Sequence, residues 1–271
     1  MLLLNGKLIA KEILADVANS AKELRKKKAP IQLAVILVGR DPASVQYIKT
    51  KQTTAKEMGI DVTIHRLLRS ASQQKITELI RKLNKDAKVT GILVQMPLPP
   101  QINREQVVWE IDPAKDVDGF QMRRFDPPAP RAILEMLRAY QIPIVRKKML
   151  IVGEGFLVGR PLSVLAIKHG ALVSTADSKT INLGLLVHNA DIIVSATGVP
   201  KLIKGSWVHE RQVIIDAGGG SIGAEVVGDV DFKNVSRKVK AISPVPGGVG
   251  PMTVAVLLRN VVKAARLKAN K

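Results

Sequence analysis

Short apolar runs alternate with amphipathic stretches along almost the whole chain. IQLAVILVG (31–39) is nearly all apolar and ends in a glycine, the pattern of a strand buried on both faces. TGILVQMPLP (90–99), KKMLIVG (147–153), ALVSTA (171–176), DIIVSAT (191–197), QVIIDAG (212–218) and AISPV (241–245) read as further buried strands, and DVTIHRLL (61–68) alternates like a half-buried one. Between the strands, apolar positions recur at helical spacing. Residues 6–28 form an amphipathic helix closing on the basic cluster at 25–28, where cations suit a helix C-terminus. Asp41-Pro42-Ala43-Ser44 is a turn and helix start, and that helix runs to about Gly59. Other helices are expected over 72–85, 103–110, 130–140 and from about Met252 onward. Such alternation predicts an α/β protein with two α/β domains, mainly parallel sheets and helices on both faces. The division falls near 118–130, and a cleft is expected between the two domains. The first comprises 1–120 with the C-terminal helix of about 252–271, which returns to it; the second comprises 121–251.

The second half carries a glycine turn. GEGFLVGRP places Gly153, Gly155 and Gly159 after a predicted strand and before a predicted helix. Small residues there let backbone N–H groups approach a pyrophosphate at a helix N-terminus. The spacing, G-x-G-x-x-x-G, is one residue longer than the usual dinucleotide fingerprint. The same glycines would also serve a tight turn that binds nothing. The surrounding strand–helix–strand pattern favours dinucleotide binding and a Rossmann-like second domain. Asp177 ends the next predicted strand, where an acid commonly accepts hydrogen bonds from the adenosine ribose hydroxyls. Asp177 and Glu154 would both repel a 2′-phosphate, which leans the expectation from NADP towards NAD. The alternative for Asp177 is a solvated turn with Ser178 and Thr180.

Composition changes this picture little. The 271 residues can bury a sizeable core, and 46% are hydrophobic. There is no run of 18 apolar residues, so no membrane span is expected. The opening Leu2–Leu4 run is too short for a signal-peptide core, and a cytoplasmic protein is expected. The absence of cysteine excludes disulfides, thiolate metal sites and cysteine nucleophiles. Lys and Arg number 42 against 23 Asp and Glu, a net charge of +19 that attracts polyanions. The basic residues are scattered and aromatics make up only 3%, so few stacking platforms exist and nucleic-acid binding is not expected. His65, His169, His188 and His209 show no ligand spacing, and no metal is expected. Ser44, Ser163 and Ser195 lack a nucleophile-elbow setting, which argues against acyl transfer.

Tyr47 and Lys51 stand four apart in SVQYIKTKQTTAKEMG (44–59). Tyr-x-x-x-Lys is the acid–base spacing of short-chain dehydrogenases, but there the pair follows the glycine turn within one domain. Here it precedes Gly153 by about a hundred positions. The spacing still puts both side chains on one helix face. Around them the chain resembles the bifunctional methylenetetrahydrofolate dehydrogenase/methenyltetrahydrofolate cyclohydrolase family. The matching stretches are LNGKLIA (4–10), VGRDPASVQYIKTK (38–51), GILVQMPLP (91–99), KDVDGF (115–120), VGRP (158–161), NADIIVSATGVP (189–200), VGDVDF (227–232) and PVPGGVGPMT (244–253).

The resemblance implies a catalytic, folate-binding first domain and a dinucleotide-binding second domain. The activity it implies is oxidation of 5,10-methylenetetrahydrofolate with NADP or NAD, then hydrolysis to 10-formyltetrahydrofolate. Lys51 matches the family's acid–base lysine, Tyr47 the tyrosine that packs on the folate, Gln95 the glutamine that bonds the lysine, and Asp118 the aspartate that holds the pterin. Pro246, Gly247 and Gly248 match the substrate-side loop. Gly153, Glu154, Gly155, Asp177, Ser178 and Gly219 are the candidates for the coenzyme side that the resemblance implies. The resemblance further implies a homodimer formed through the second domain. Three departures stand out: Glu154-Gly155 in the glycine turn, Asp177-Ser178 where the family often has a basic residue, and only QMRRFD (121–126) before PPAP, with Ala129 in place of a threonine. They leave open a cyclohydrolase with weak or lost dehydrogenase activity. A nucleic-acid-binding protein on this fold is the remote alternative.

Overall fold

The computed structural model describes residues 1–222 and 225–270. Its elements in chain order are β1 (Leu2–Leu3), α1 (Gly6–Lys26), β2 (Gln32–Val38), α2 (Pro42–Glu57), β3 (Asp61–Leu67), α3 (Gln73–Lys85), β4 (Gly91–Val94) and α4 (Arg104–Trp109). There follow α5 (Pro128–Ala139), β5 (Lys148–Val152), α6 (Gly159–Lys168), β6 (Leu172–Ala176), α7 (Leu183–Asn189), β7 (Ile192–Ser195) and β8 (Val213–Asp216). The last are β9 (Gly220–Ile222), β10 (Glu225–Val227), α8 (Phe232–Val235), β11 (Ala241–Ile242) and α9 (Val249–Ala269). They form two compact units. One contains residues 12–126 and 257–271, the other residues 1–11 and 127–256.

The first unit is built on a parallel sheet in the order β3-β2-β4. The apolar run of β2 fills its centre: Leu33 and Ile36 are fully buried, as are Ile76 and Ile80 of α3 and Ile92 of β4. Asp41 caps α2, its Oδ2 accepting from the Ser44 amide at 2.8 Å, with Pro42 in the first turn. Ser44, Ile48, Lys51 and Ala55 share the buried face of that helix. Their spacing of four, three and four is a core stripe. A lysine therefore occupies a position where an apolar residue is the rule. Beyond β4, Ile92 bridges Asp116 in parallel and its amide donates to the Lys115 carbonyl at 2.8 Å. An added Cβ at Gly91 would lie 2.8 Å from Val117, so only glycine lets this segment pack so closely on the sheet edge.

The second unit holds a six-stranded sheet in the order β1-β11-β8-β7-β5-β6, with every pairing parallel. Leu150, Ile193, Ile214 and Ile242, one from each central strand, sit in its core. The chain runs from β5 outward to β6, then returns to the other side of β5 as β7. This reversal is the switch point at which open α/β sheets bind ligands, and the unit is Rossmann-like. The first eleven residues pack with this second unit: Leu2 and Leu3 add a parallel strand beside β11, and the Gly6 amide donates to the Gly247 carbonyl at 2.9 Å. An antiparallel hairpin, β9–β10, lies apart from the sheet. Several expected strands prove shorter; β4 stops at Val94 and β11 at Ile242, each just ahead of a proline-rich stretch with a cis bond, Met96–Pro97 or Val245–Pro246.

Candidate active site

Lys51, Tyr47, Gln95 and Asp118 come together within the first unit. Lys51 is only 6% exposed. Its Nζ donates to Gln95 Oε1 at 3.2 Å and lies over the Tyr47 ring, 4.4 Å from the centroid. The one-turn spacing along α2 produces that stacking directly. Gln95 follows β4, where its amide donates to the Ile36 carbonyl at 2.9 Å. Its Nε2 donates to the Met96 carbonyl at 2.6 Å, which points the Oε1 acceptor at the amine.

The electrostatics favour neutral groups. Burial lowers the Lys51 pKa, and attraction to the Asp118 carboxylate only partly opposes it. Burial likewise raises Asp118, with the Lys51 charge pulling the other way. Tyr47 is raised by burial and then by the Asp118 charge, so its phenol stays protonated. Gln95 is the decisive partner. A carboxylate at 3.2 Å would hold the amine as ammonium, whereas a carboxamide orients it without fixing its charge. With its pKa lowered by burial, the amine can accept and return a proton more readily than an exposed lysine, beside a carboxyl group able to receive adjacent N–H donors.

The loop carrying Asp118 is anchored from its near end. Lys115 Nζ donates to the carbonyls of Leu83, Asn84 and Asp86 at 2.9, 2.7 and 2.8 Å, closing the C-terminus of α3. Asp116 is buried; its Oδ2 accepts from the Gln121 amide at 3.0 Å, while its Oδ1 finds no hydrogen-bond partner among the described residues. Burial, opposed by that amide, pushes its pKa up to about 6. Gln121 Nε2 in turn donates to the carbonyls of Val108 and Ile111 at 3.0 and 2.7 Å. Gly119 has φ +64°, and a Cβ there would stand 2.6 Å from the backbone of Phe125 and Asp126. Sequence reasoning passed over Asp116, Lys115 and Gln121. The available signal was the density of polar residues in a segment flanked by apolar strands.

The glycine turn lies in the second unit, at the switch point. Gly153 has φ +99°, and a Cβ there would approach the Ala196 carbonyl oxygen to 2.6 Å. At Gly159 it would reach the Gly153 carbonyl at 1.8 Å. Both glycines are demanded by the turn itself. Gly155 is not: among the described residues an added Cβ meets nothing within 4 Å, and the same holds for Gly219 beyond β8. Helix α6 begins at Gly159; its N-cap, Val158, makes no side-chain cap bond, and the Arg160 amide donates to the Gly155 carbonyl at 3.1 Å. Glu154 is exposed, as are Asp177 and Ser178 at the end of β6. Asp177 Oδ1 accepts from the Lys179 amide at 2.9 Å and the Thr180 hydroxyl at 3.1 Å, bonds that lower its pKa. Because Val152 pairs with Ala176, Gly153 and Asp177 leave the ends of adjacent strands together. These residues fit a dinucleotide: a close glycine turn at a helix N-terminus, an unencumbered glycine and an acid with a lowered pKa one strand away.

Two buried acids missed in the sequence brace the neighbouring loops. Asp229 Oδ2 accepts from the Ser195 hydroxyl, the Thr197 amide and the Thr197 hydroxyl at 2.8, 2.6 and 2.9 Å. Asp216 accepts from the amides of Gly218, Asp229 and Val230 at 3.0, 3.1 and 2.9 Å. A Cβ at Gly218 or at Gly228 would fall 2.0 Å from the carboxylate of Asp229 or Asp216 respectively. The signal was the mirrored pair D-x-G and G-D. In the same unit Pro246, Gly247 and Gly248 form a close turn, with Gly247 at φ +111° and Gly248 within contact of the Pro244 carbonyl. Gly6 packs on Gly248 so closely that a Cβ would lie 1.9 Å from its carbonyl oxygen, which accounts for the glycine in LNGK.

Two family models match. Residues 4–118 match the tetrahydrofolate dehydrogenase/cyclohydrolase catalytic domain, and residues 127–269 the NAD(P)-binding domain of the same enzymes. The chain is 40% identical to the bifunctional protein FolD of Acetivibrio thermocellus, over 98% of this chain and 97% of that protein. Among solved structures, the Campylobacter jejuni FolD methylenetetrahydrofolate dehydrogenase/cyclohydrolase superposes with a TM-score of 0.95 at 38% identity, covering 98% of this chain and 99% of that one. The Trypanosoma brucei enzyme, solved with NADP and an inhibitor, gives 0.93 at 28% identity over 100% and 99% of the two chains. A buried amine with a neutral partner in one unit, a dinucleotide turn in the other and these full-length matches agree: the chain belongs to the tetrahydrofolate dehydrogenase/cyclohydrolase family.

Proposed function

We propose that Lys51 is the acid–base group of a methenyltetrahydrofolate cyclohydrolase, working in one chain with a methylenetetrahydrofolate dehydrogenase. The observation that carries the reading is a buried lysine, its pKa lowered, held by Gln95 rather than by a carboxylate. Bound nicotinamide coenzyme supplies the hydride acceptor for the methylene carbon of 5,10-methylenetetrahydrofolate. The resulting methenyl carbon is electrophilic. Lys51 takes a proton from the water that adds to it and returns one to the ring nitrogen that departs, leaving 10-formyltetrahydrofolate. Tyr47 packs against the folate, and Asp118 accepts the pterin's adjacent N–H donors. The positive charge of the methenyl group adds to burial in disfavouring ammonium at Lys51.

The coenzyme is NADP or NAD, held by the turn at Gly153, Glu154 and Gly155, with Gly219 beyond β8. Asp177 and Ser178 would face the adenosine ribose, and the charge of Asp177 disfavours a 2′-phosphate. A homodimer through the second unit is supported by β6. It is an edge strand, and Leu172 on it and Val164 and Ile167 on the adjoining α6 are exposed apolar side chains. No helix among the described residues is long and apolar enough to cross a membrane, and a cytoplasmic enzyme is the corresponding proposal. Two assays test the function: coenzyme reduction with methylenetetrahydrofolate, run with NADP and NAD, and hydrolysis of supplied methenyltetrahydrofolate. Both activities are expected. Hydrolysis alone would remove the dehydrogenase half, and turnover in neither would overturn the reading.

A further inference from the structure

The far end of the Asp118 loop is closed by a residue from the other end of the chain. Asn260 lies on α9 and is 7% exposed. Its Nδ2 donates to the Val117 carbonyl at 2.9 Å and to the Asp126 carbonyl at 3.2 Å. Val117 immediately precedes Asp118, and Asp126 ends the short return QMRRFD. One carboxamide nitrogen thus spends both its N–H bonds tying the two feet of the excursion 118–125 together. The feet lie close already, since Gly119 approaches the backbone of Asp126. One turn further along α9, Lys263 Nζ stands 5.8 Å from the centroid of the Phe125 ring, so the same helix also covers the returning strand of the loop.

We propose that Asn260 is a positioning residue for folate binding: by clamping 117 to 126 it fixes where the Asp118 carboxylate stands. The inference rests on the reading of Asp118 as the pterin-holding group. Lys51 and Gln95 are placed by α2 and the end of β4, and the clamp reaches them only through the Asp118 charge, a smaller influence on Lys51 than burial. Its loss therefore weakens capture of the pterin more than proton transfer on substrate that is bound.

The test is steady-state hydrolysis of methenyltetrahydrofolate by the full chain, as wild type, Asn260→Leu, Asp118→Ala and the double variant. Leucine keeps the volume and removes both donors. Removing both donors frees the Val117 and Asp126 carbonyls from the clamp and loosens the loop, so KM should rise about tenfold while kcat stays within about threefold. Once Asp118 is gone, Asn260→Leu should add little to KM, because the two act as one unit. An unchanged KM, a loss confined to kcat, or full additivity in the double variant would overturn the inference. If Asn260→Leu does not fold by circular dichroism, Asn260→Ser carries the same comparison. Absence of hydrolysis by the wild type would instead strike the underlying functional reading.

Discussion

Lys51 is enclosed by its own chain: Gln95 sets its direction, Tyr47 its lateral position and Asp118 its field. Gly155 in the other unit presents the opposite situation, since its α-carbon faces no protein atom that a side chain would strike. A proton-transfer group must be tuned before substrate arrives, and only packed neighbours can do that. A pyrophosphate cradle requires backbone amides left approachable, and only missing side chains achieve it. The two regions should therefore fail in different ways.

The largest separation is expected from Lys51→Ala. Hydrolysis of methenyltetrahydrofolate should fall about a thousandfold, the scale of a lost general acid–base group, while dinucleotide affinity by calorimetry stays at the wild-type value. Retained hydrolysis would break the comparison at its stronger pole. Next, the loop that follows β8 is held by a buried, titratable acid. Asp216 is pushed up to about 6 from 3.8, chiefly by burial. Between those values the folded chain holds more protons than the unfolded one. The group's favourable contribution is thus present below about pH 4 and lost as pH rises through 6. Asp216→Asn removes that slope. Relative to wild type, its unfolding free energy should improve by about 2 kcal/mol between pH 4 and pH 7, measured by denaturant titration. A flat difference would show the acid to be ionised throughout.

A smaller effect is expected at Gly155. Gly155→Ala should leave Tm unaltered, because its Cβ meets nothing, yet raise the coenzyme KM about tenfold by standing where the pyrophosphate approaches. A lower Tm with an unchanged KM would place the constraint in the turn and not in the ligand. The smallest expected effect is at Asp177, which is exposed and screened. Asp177→Ser should shift the NADP-to-NAD ratio of kcat/KM by about threefold to fivefold towards NADP. No shift would leave the acid as a turn residue bonded to Lys179 and Thr180.

Most of this architecture can be read from the chain. The apolar run at 31–39 and the strand before Gly153 announce themselves because central parallel strands are buried on both faces and carry no polar alternation. Lys51, Tyr47, Gln95 and Asp118 were legible through motif context. Lys51 alone looks like one more lysine on a lysine-rich helix, and only the burial of Ser44, Ile48 and Ala55 beside it reveals a core position. Other features were hidden for physical reasons. β1 and β11 pair over two residues each, far below the length at which periodicity means anything. Asp116 and Asn260 act on backbone partners and Asp229 on the Ser195 and Thr197 hydroxyls and the Thr197 amide, all of them distant in sequence for Asp229 and Asn260. Nothing local marks an asparagine in an apolar helix as a clamp.

The pairing of Leu2 and Leu3 with β11, against the return of residues 257–271 to the other unit, has a practical consequence for anyone cutting the gene. Neither lobe is a contiguous segment, so a fragment spanning 127–256 would lose its edge strand and one spanning 12–126 its capping helix. Activities that look separable on paper are thereby sewn into a single heritable piece.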